Sequence, residues 1–153
     1  MNNKGFTLVE LLATVLILSI ITGIATISYT SYLKKTKSKA EEIFKENVSN
    51  YIDAFISANT SKLTDEELVG NNAYSQKYNN HSITFQDIIN DNIIIPSNLK
   101  NSANKKECSK DTSIKVYRDN NFVYCYVVDL DCLDSSDKRL TNCSSYIKNK
   151  IGG

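Results

Sequence analysis

The chain has one histidine, His81, and one proline, Pro96, among its 153 residues. A single imidazole cannot be placed by spacing against any serine as part of a nucleophile–base–orienter set, so the sequence gives no basis for catalysis of that kind. The sequence contains no glycine-rich phosphate or dinucleotide loop, no internal repeat and no low-complexity tract, and it implies no cofactor. Charge is nearly balanced, 18 Lys+Arg against 17 Asp+Glu, so there is no electrostatic case for direct nucleic-acid binding. The four cysteines include no close C-x₂-C pair and lie far from His81, which argues against zinc, and no metal site is assigned.

What the chain does have is an apolar run. Residues 6–27 make 22 positions with one ionisable group, Glu10. As a helix this run would be about 33 Å long, enough to cross the hydrocarbon core of a bilayer. Leu8, Leu11, Val15, Leu18, Ile21 and their neighbours are apolar on every side, unlike the single stripe of a surface helix. An ordinary cleaved signal peptide has a shorter apolar core followed by a small-x-small site, which Ala25-Thr26-Ile27 does not supply. A carboxylate within such a run costs several kcal/mol unless paired, so Glu10 is the first functional candidate. A cut after Gly5 would create a new α-amine on Phe6, four residues before Glu10, and the amine of one copy could pair with the Glu10 of another.

Lys4-Gly5-Phe6-Thr7-Leu8-Val9-Glu10, continued by Leu11-Leu12-Ala13-Thr14, resembles the prepilin cleavage and methylation signature of type IV pilins and pseudopilins. The resemblance covers roughly residues 1–35. It implies that a membrane prepilin peptidase cuts between Gly5 and Phe6 and N-methylates Phe6, and that Glu10 is the assembly carboxylate. The chain is the substrate of that chemistry and is not itself expected to be an enzyme. Many such proteins carry a proline where this chain has Ile27. Without it, a smoother helix is expected, with any loosening in a fibre centred near Gly23 and flanked by Ser19 and Thr22.

The expected organisation is a cleaved leader at 1–5, a transmembrane or filament-core helix at 6–27, its amphipathic extracellular half at 28–58, and a globular head at 59–153. The implied fold class is α+β, a pilin-like lollipop whose long N-terminal helix packs on a small antiparallel sheet. Tyr29 and Tyr32 suit a membrane interface. Lys34, Lys35, Lys37 and Lys39 follow, placed to meet lipid head groups or acidic groups of a neighbouring subunit. The positive-inside rule alone would put them in the cytoplasm, whereas the resemblance and the cysteines put the head outside. Ala40, Ile43, Phe44, Val48, Tyr51, Ile52, Phe55 and Ile56 recur at three and four residues, the pattern of a helix with one buried face.

Past the helix end near 58–61, Thr64 or Asp65 is expected to cap a short helical turn closed by Gly70. Residues 71–82 are expected to form a loop that includes His81. A short helix over 84–89 is capped by Thr84 with Asp87 three residues on, and 93–99 is extended. This whole connection, 59–107, is expected to lie outside the sheet. Alternation over 113–118 and 122–128 around an Asp-Asn-Asn turn predicts a central hairpin, with a third strand near 140–147. Cys108, Cys125, Cys132 and Cys143 are an even set behind an export signal and predict two disulfides, with sequential pairing favoured because it closes short loops. Asp129, Asp131, Asp134 and Asp137 are the one cluster that could attract calcium, but they lack EF-hand spacing and read as a solvated loop.

The expected function is structural: a subunit of a type IV pilus or related filament, held first in the bilayer and then polymerised. Its partners would be the prepilin peptidase, other pilin subunits and a membrane assembly platform. The competing reading is a single-span surface domain that binds a ligand and never polymerises.

Overall fold

The computed structural model describes residues 7–69 and 73–144, apart from the side chains of 24–28. The chain divides into two compact units, Met1–Lys39 and Ala40–Gly153. Helix α1, Leu8–Asn59, is 52 residues long and supplies all the described regular structure of the first unit. It passes through Gly23 without a break, and a Cβ added there would meet no described atom within 4 Å beyond the adjoining residues and the nearby helix backbone.

In the second unit, the end of α1 lies on an antiparallel sheet. Phe44, Val48, Ile52 and Phe55 are buried at spacings of four, four and three, the stripe that the helical pattern requires. They share one core with Ile83, Ile114, Val116, Tyr126 and Leu133. Each fully buried side chain of this size contributes on the order of 1.5–3 kcal/mol. Ile43, on the edge of the amphipathic pattern, stays 48% exposed. Tyr51 lies only partly in the core and accepts a 3.0 Å hydrogen bond from Asn98 Nδ2 through its hydroxyl.

The strands are β1 (Leu63–Val69), β2 (Ala73–Tyr78), β3 (Ile83–Thr84), β4 (Ser113–Asp119), β5 (Tyr124–Asp129) and β6 (Arg139–Thr141). Their order is β1-β2-β4-β5-β6, with β3 also paired to β4, and every pairing is antiparallel. The expected hairpin is β4–β5 and it is central, with Val116 opposite Tyr126. Its turn closes when the Asp119 carboxylate accepts the backbone N–H of Asn121 and of Val123 at 2.8 and 2.9 Å. The expected third strand is β6, beside β5 and shorter than the 140–147 segment; residues from 145 onward lie outside those described.

Two expectations for the connection are overturned. Residues 63–69 form strand β1 instead of a capped helical turn, and 73–78, expected as loop, form β2. Gly70, expected to end the helical turn, lies outside the described residues. The connection therefore supplies half of the sheet. Capping residues at 64–67 offered a helix start, but the pairing of Leu63 with Tyr78 and of Thr64 with Lys77 satisfies the same backbone groups and buries Leu63 and Tyr78 in the core. Arg118 on β4 reaches over β2 to hold Asp65 on β1, donating from Nε to Oδ1 at 3.0 Å and from an Nη to Oδ2 at 2.5 Å. Exposed Asp65, Glu66 and Glu67 line this outer strand, and charge on an edge discourages further strand addition.

Helix α2, Phe85–Asn90, follows β3 with Thr84 as its N-cap, as the sequence predicts. Thr84 donates to Asp87 Oδ2 from both its backbone N–H and its hydroxyl, at 2.8 and 2.9 Å. The 93–99 segment is not simply extended: Pro96–Leu99 form a 3₁₀ turn that buries Leu99.

Candidate assembly site at the helix start

The start of α1 has a self-contained hydrogen-bond ring. Thr7 stands immediately before the first helical residue and Glu10 lies in the first turn. The Thr7 backbone N–H and its Oγ1 hydroxyl each donate to Glu10 Oε2 at 3.1 Å. The Glu10 N–H donates back to Thr7 Oγ1 at 3.3 Å, and the Leu11 N–H donates to the Thr7 carbonyl at 3.1 Å. This is a capping box, the reciprocal pattern that Thr-x-x-Glu encodes. The signal lies in the sequence as Thr7-Leu8-Val9-Glu10, and it gives Thr7 a role that the search for a partner to Glu10 in a neighbouring copy does not assign. A carboxylate in the first turn also meets the positive end of the helix dipole. Glu10 thus has a partner within its own chain.

Around this ring the helix surface is apolar and uncovered. Ten residues from Leu8 to Ile21 with large apolar side chains are 56–80% exposed, and they lie on every side of the helix. The polar side chains among them are turned inward to the backbone. Thr14 Oγ1 donates to the Leu11 carbonyl at 2.8 Å, Ser19 Oγ to that of Val15 at 2.7 Å, and Thr22 Oγ1 to that of Leu18 at 2.8 Å. Hydroxyls satisfied in this way can sit in an apolar environment without the penalty of an unpaired donor. Residues 8–23, the apolar part whose side chains are described, span about 24 Å. Among the described residues no helix is long and apolar enough to cross a membrane. Phe6 and the side chains of 24–28, which the expected 6–27 span includes, lie outside the description, as does Gly5.

Residues 1–26 match the family model of the prokaryotic N-terminal methylation motif. The chain carries the type IV pilin and pseudopilin signature. The ring between Thr7 and Glu10 lies within the matched stretch. No curated protein and no solved structure matches the chain.

In the head, the cysteines pair differently from the sequential order favoured by loop length. The bonds are Cys108–Cys132 and Cys125–Cys143. The sheet explains the choice. Tyr126 and Val128 of β5 point to the helix-side core, so Cys125 and Val127 point to the opposite face, where Cys143 joins them in a second small cluster. Cys108 and Cys132 both belong to the helix-side core. A Cys108–Cys125 bond would have to pass through the sheet.

The four aspartates do not converge. Asp129 pairs with Arg139 Nε at 3.3 Å, Asp131 accepts the Ser109 N–H at 3.1 Å, Asp134 pairs with Lys106 at 2.6 Å, and Asp137 lies 3.9 Å from Lys45. The one metal-type grouping among the described residues is Cys108, Asp131 and Cys132, and its two sulfurs are joined to each other. His81, expected in a loop, sits just past β2, with Nε2 2.9 Å from Asp87 Oδ1 and its backbone paired with Tyr78. The Asp87 hydrogen bond raises the His81 pKa above its ordinary value. Burial acts to raise the Asp87 pKa, but hydrogen bonds from His81 and Thr84 outweigh it and hold the carboxyl below its usual range. This network fastens α2 to the end of β2.

Proposed function

We propose that this chain is a structural subunit of a type IV pilus or related pseudopilus filament, assembled through α1. The observation that carries this reading is the methylation motif at 1–26, set at the start of a helix whose exposed side chains are apolar on every side. An unpartnered apolar helix of this kind requires cover, first from lipid and then from other copies of itself. Prepilin peptidase removes residues 1–5 at the Gly5–Phe6 bond and methylates the Phe6 amine. A membrane assembly platform then transfers subunits from the bilayer, where 6–27 anchors them with the head outside, into a helical stack. There the 6–27 helices form the apolar core and the 59–153 heads form the surface.

In this mechanism Glu10 changes partner. In the free subunit its Oε2 accepts from Thr7. In the filament it receives the Phe6 ammonium of a neighbour, a charge pair that satisfies two groups otherwise stranded in an apolar core and so fixes docking register.

The test is substitution at the cut. Changing Gly5 to a bulky residue should leave full-length precursor in the membrane fraction and no filaments. Normal maturation and filaments from that variant would contradict the proposal.

A further inference from the structure

The filament reading leaves the contacts between heads open, and two features of the second unit address them. The first is the tip of the β4–β5 hairpin. The Asp119 N–H donates to the Val123 carbonyl at 3.0 Å, and the Phe122 N–H donates to the Asp119 carbonyl at 3.1 Å. Residues 120–122 thus make a three-residue loop, whose last position takes the left-handed backbone that glycine ordinarily supplies. Here that position is Phe122, with φ 61°. The other described residues with positive φ are Asn79, Asn80, Asn92 and Lys105, so Phe122 is the one aromatic among them. Asparagine tolerates that backbone, whereas a bulky side chain opposes it. Phe122 is also 72% exposed, more than any other large apolar side chain described in this unit, and Val123 beside it is exposed as well. The Arg118 guanidinium, itself held by Asp65, lies 4.5 Å from the Phe122 ring centroid and steadies one face of the ring. The fold therefore holds an aromatic ring in water, on a backbone that disfavours it, with little burial in return. Such a residue marks a surface that something else covers.

The second feature is a groove of about 230 Å³ between residues 43–51 and 97–102, lined by Ile43, Asn47, Tyr51, Asn98, Lys100 and Ser102. All of these residues belong to the second unit. A cavity of about 150 Å³ already holds a benzene ring. Ile43 and the Tyr51 ring give the groove apolar walls, and the hydrogen bond from Asn98 to the Tyr51 hydroxyl fixes that ring in place. Lys100 at the groove carries the charge opposite to that of Asp119 at the tip. Tip and groove lie toward opposite ends of the sheet. The tip adjoins Tyr124, where β5 starts, and β5 ends six residues along at Asp129. Just past that end, the Cys132 carbonyl accepts a 3.1 Å hydrogen bond from Asn101, which stands between the groove residues Lys100 and Ser102. A strand of that length separates the two features by about 17 Å. We infer that Phe122 of one copy docks in this groove of a second copy. Each copy offers its tip to one neighbour and its groove to another, so the contact is heterologous and continues along a row of heads.

This inference rests on the filament reading, and the experiment separates the two. The full chain is expressed in cells that have its peptidase and assembly machinery, and the subunit is quantified in sheared filaments. Urea denaturation of the full chain in detergent reports the folding of each head. Phe122→Gly relieves the left-handed backbone, so its denaturation midpoint should equal or exceed that of the wild type. The same variant should lower filament-associated subunit about tenfold. Phe122→Tyr keeps the ring and should assemble near the wild-type level. Asn47→Trp, at an exposed helix position, fills the groove and should lower assembly as Phe122→Gly does. The contact itself is read by photocrosslinking, with p-benzoylphenylalanine in place of Phe122 in irradiated filaments. A covalent dimer should form, in which the peptide containing position 122 is joined to residues 40–51 or 97–102 of the second copy. Wild-type filaments together with normal assembly of Phe122→Gly would overturn the docking and leave the filament reading standing. So would a crosslink from position 122 to another part of the chain, to a different protein, or to nothing. Absence of the wild-type chain from filaments would overturn both.

Discussion

Thr7 and Glu10 hold each other at the start of α1: two donors of Thr7 converge on one carboxylate oxygen, and the Glu10 N–H returns the contact to the threonine hydroxyl. The observed cap and the proposed charge pairing with a neighbour are separable at Glu10. Glu10→Gln keeps the capping box, because glutamine closes the same ring, but removes the charge. Thr7→Val keeps the charge and removes the cap, at a cost of about 1 kcal/mol to the helix start. We expect Glu10→Gln subunits to mature normally and assemble poorly, and Thr7→Val subunits to assemble with only a modest loss. Filament yield from the two variants, side by side, checks this. Normal yield from Glu10→Gln would reduce Glu10 to a cap.

The disulfides lie on opposite faces of the sheet and close loops of similar length, with sequence separations of 24 and 18. Loop-closure entropy predicts about 3 kcal/mol from each. Replacing either pair with serines should lower head stability by a similar amount, read from urea denaturation of the full chain in detergent. Peptide mapping without reduction should recover Cys108 joined to Cys132.

Phe55 is fully buried and meets Tyr78 edge-on, with ring centroids 5.0 Å apart. It is where the end of α1 contacts β2. Phe55→Ala should cost about 3–5 kcal/mol, and Phe55→Leu considerably less, in the same denaturation measurement.

The His81–Asp87 pair predicts a pH dependence with a definite sign. The His81 pKa is raised in the folded state, so its contribution is complete below about 6.5, the ordinary imidazole value, and is lost as pH rises through the folded value. The Asp87 pKa is lowered, so its contribution holds above about 3.9 and fades as pH falls through the folded value. The pair's contribution to head stability should therefore be flat between those limits and fall on the alkaline side. His81 is half exposed, so the fall should be small. His81→Gln should abolish the alkaline fall in a series of melting curves.

Much of this was legible because α1 and the β4–β5 hairpin are specified locally. The spacing of Phe44, Val48, Ile52 and Phe55 reads as helix from the sequence alone, and so does the alternation through Val116 and Tyr126 as strand. The Thr84 cap and its Asp87 partner were equally local. What failed depended on pairing with distant residues. Leu63 and Thr64 look like a helix entrance until Tyr78 and Lys77 occupy the backbone groups opposite them. The disulfides failed for a related reason. Loop length favoured sequential bonds, but the sheet assigns Cys125 and Cys108 to opposite faces, a constraint that exists only once the strands are paired. At the candidate site, Glu10 stood out because charge is rare in an apolar run. Thr7 did not, because its role depends on the helix starting at the next residue.

The central claim is that the chain is matured at Gly5–Phe6 and polymerised. The most direct measurement is the intact, unreduced mass of the protein recovered from sheared filaments. The expected mass is that of the chain without residues 1–5, heavier by one CH₂ (a methyl replacing an amine hydrogen) and lighter by the four hydrogens lost to two disulfides. Finding only the full-length, unmethylated precursor, confined to the membrane fraction, would contradict it.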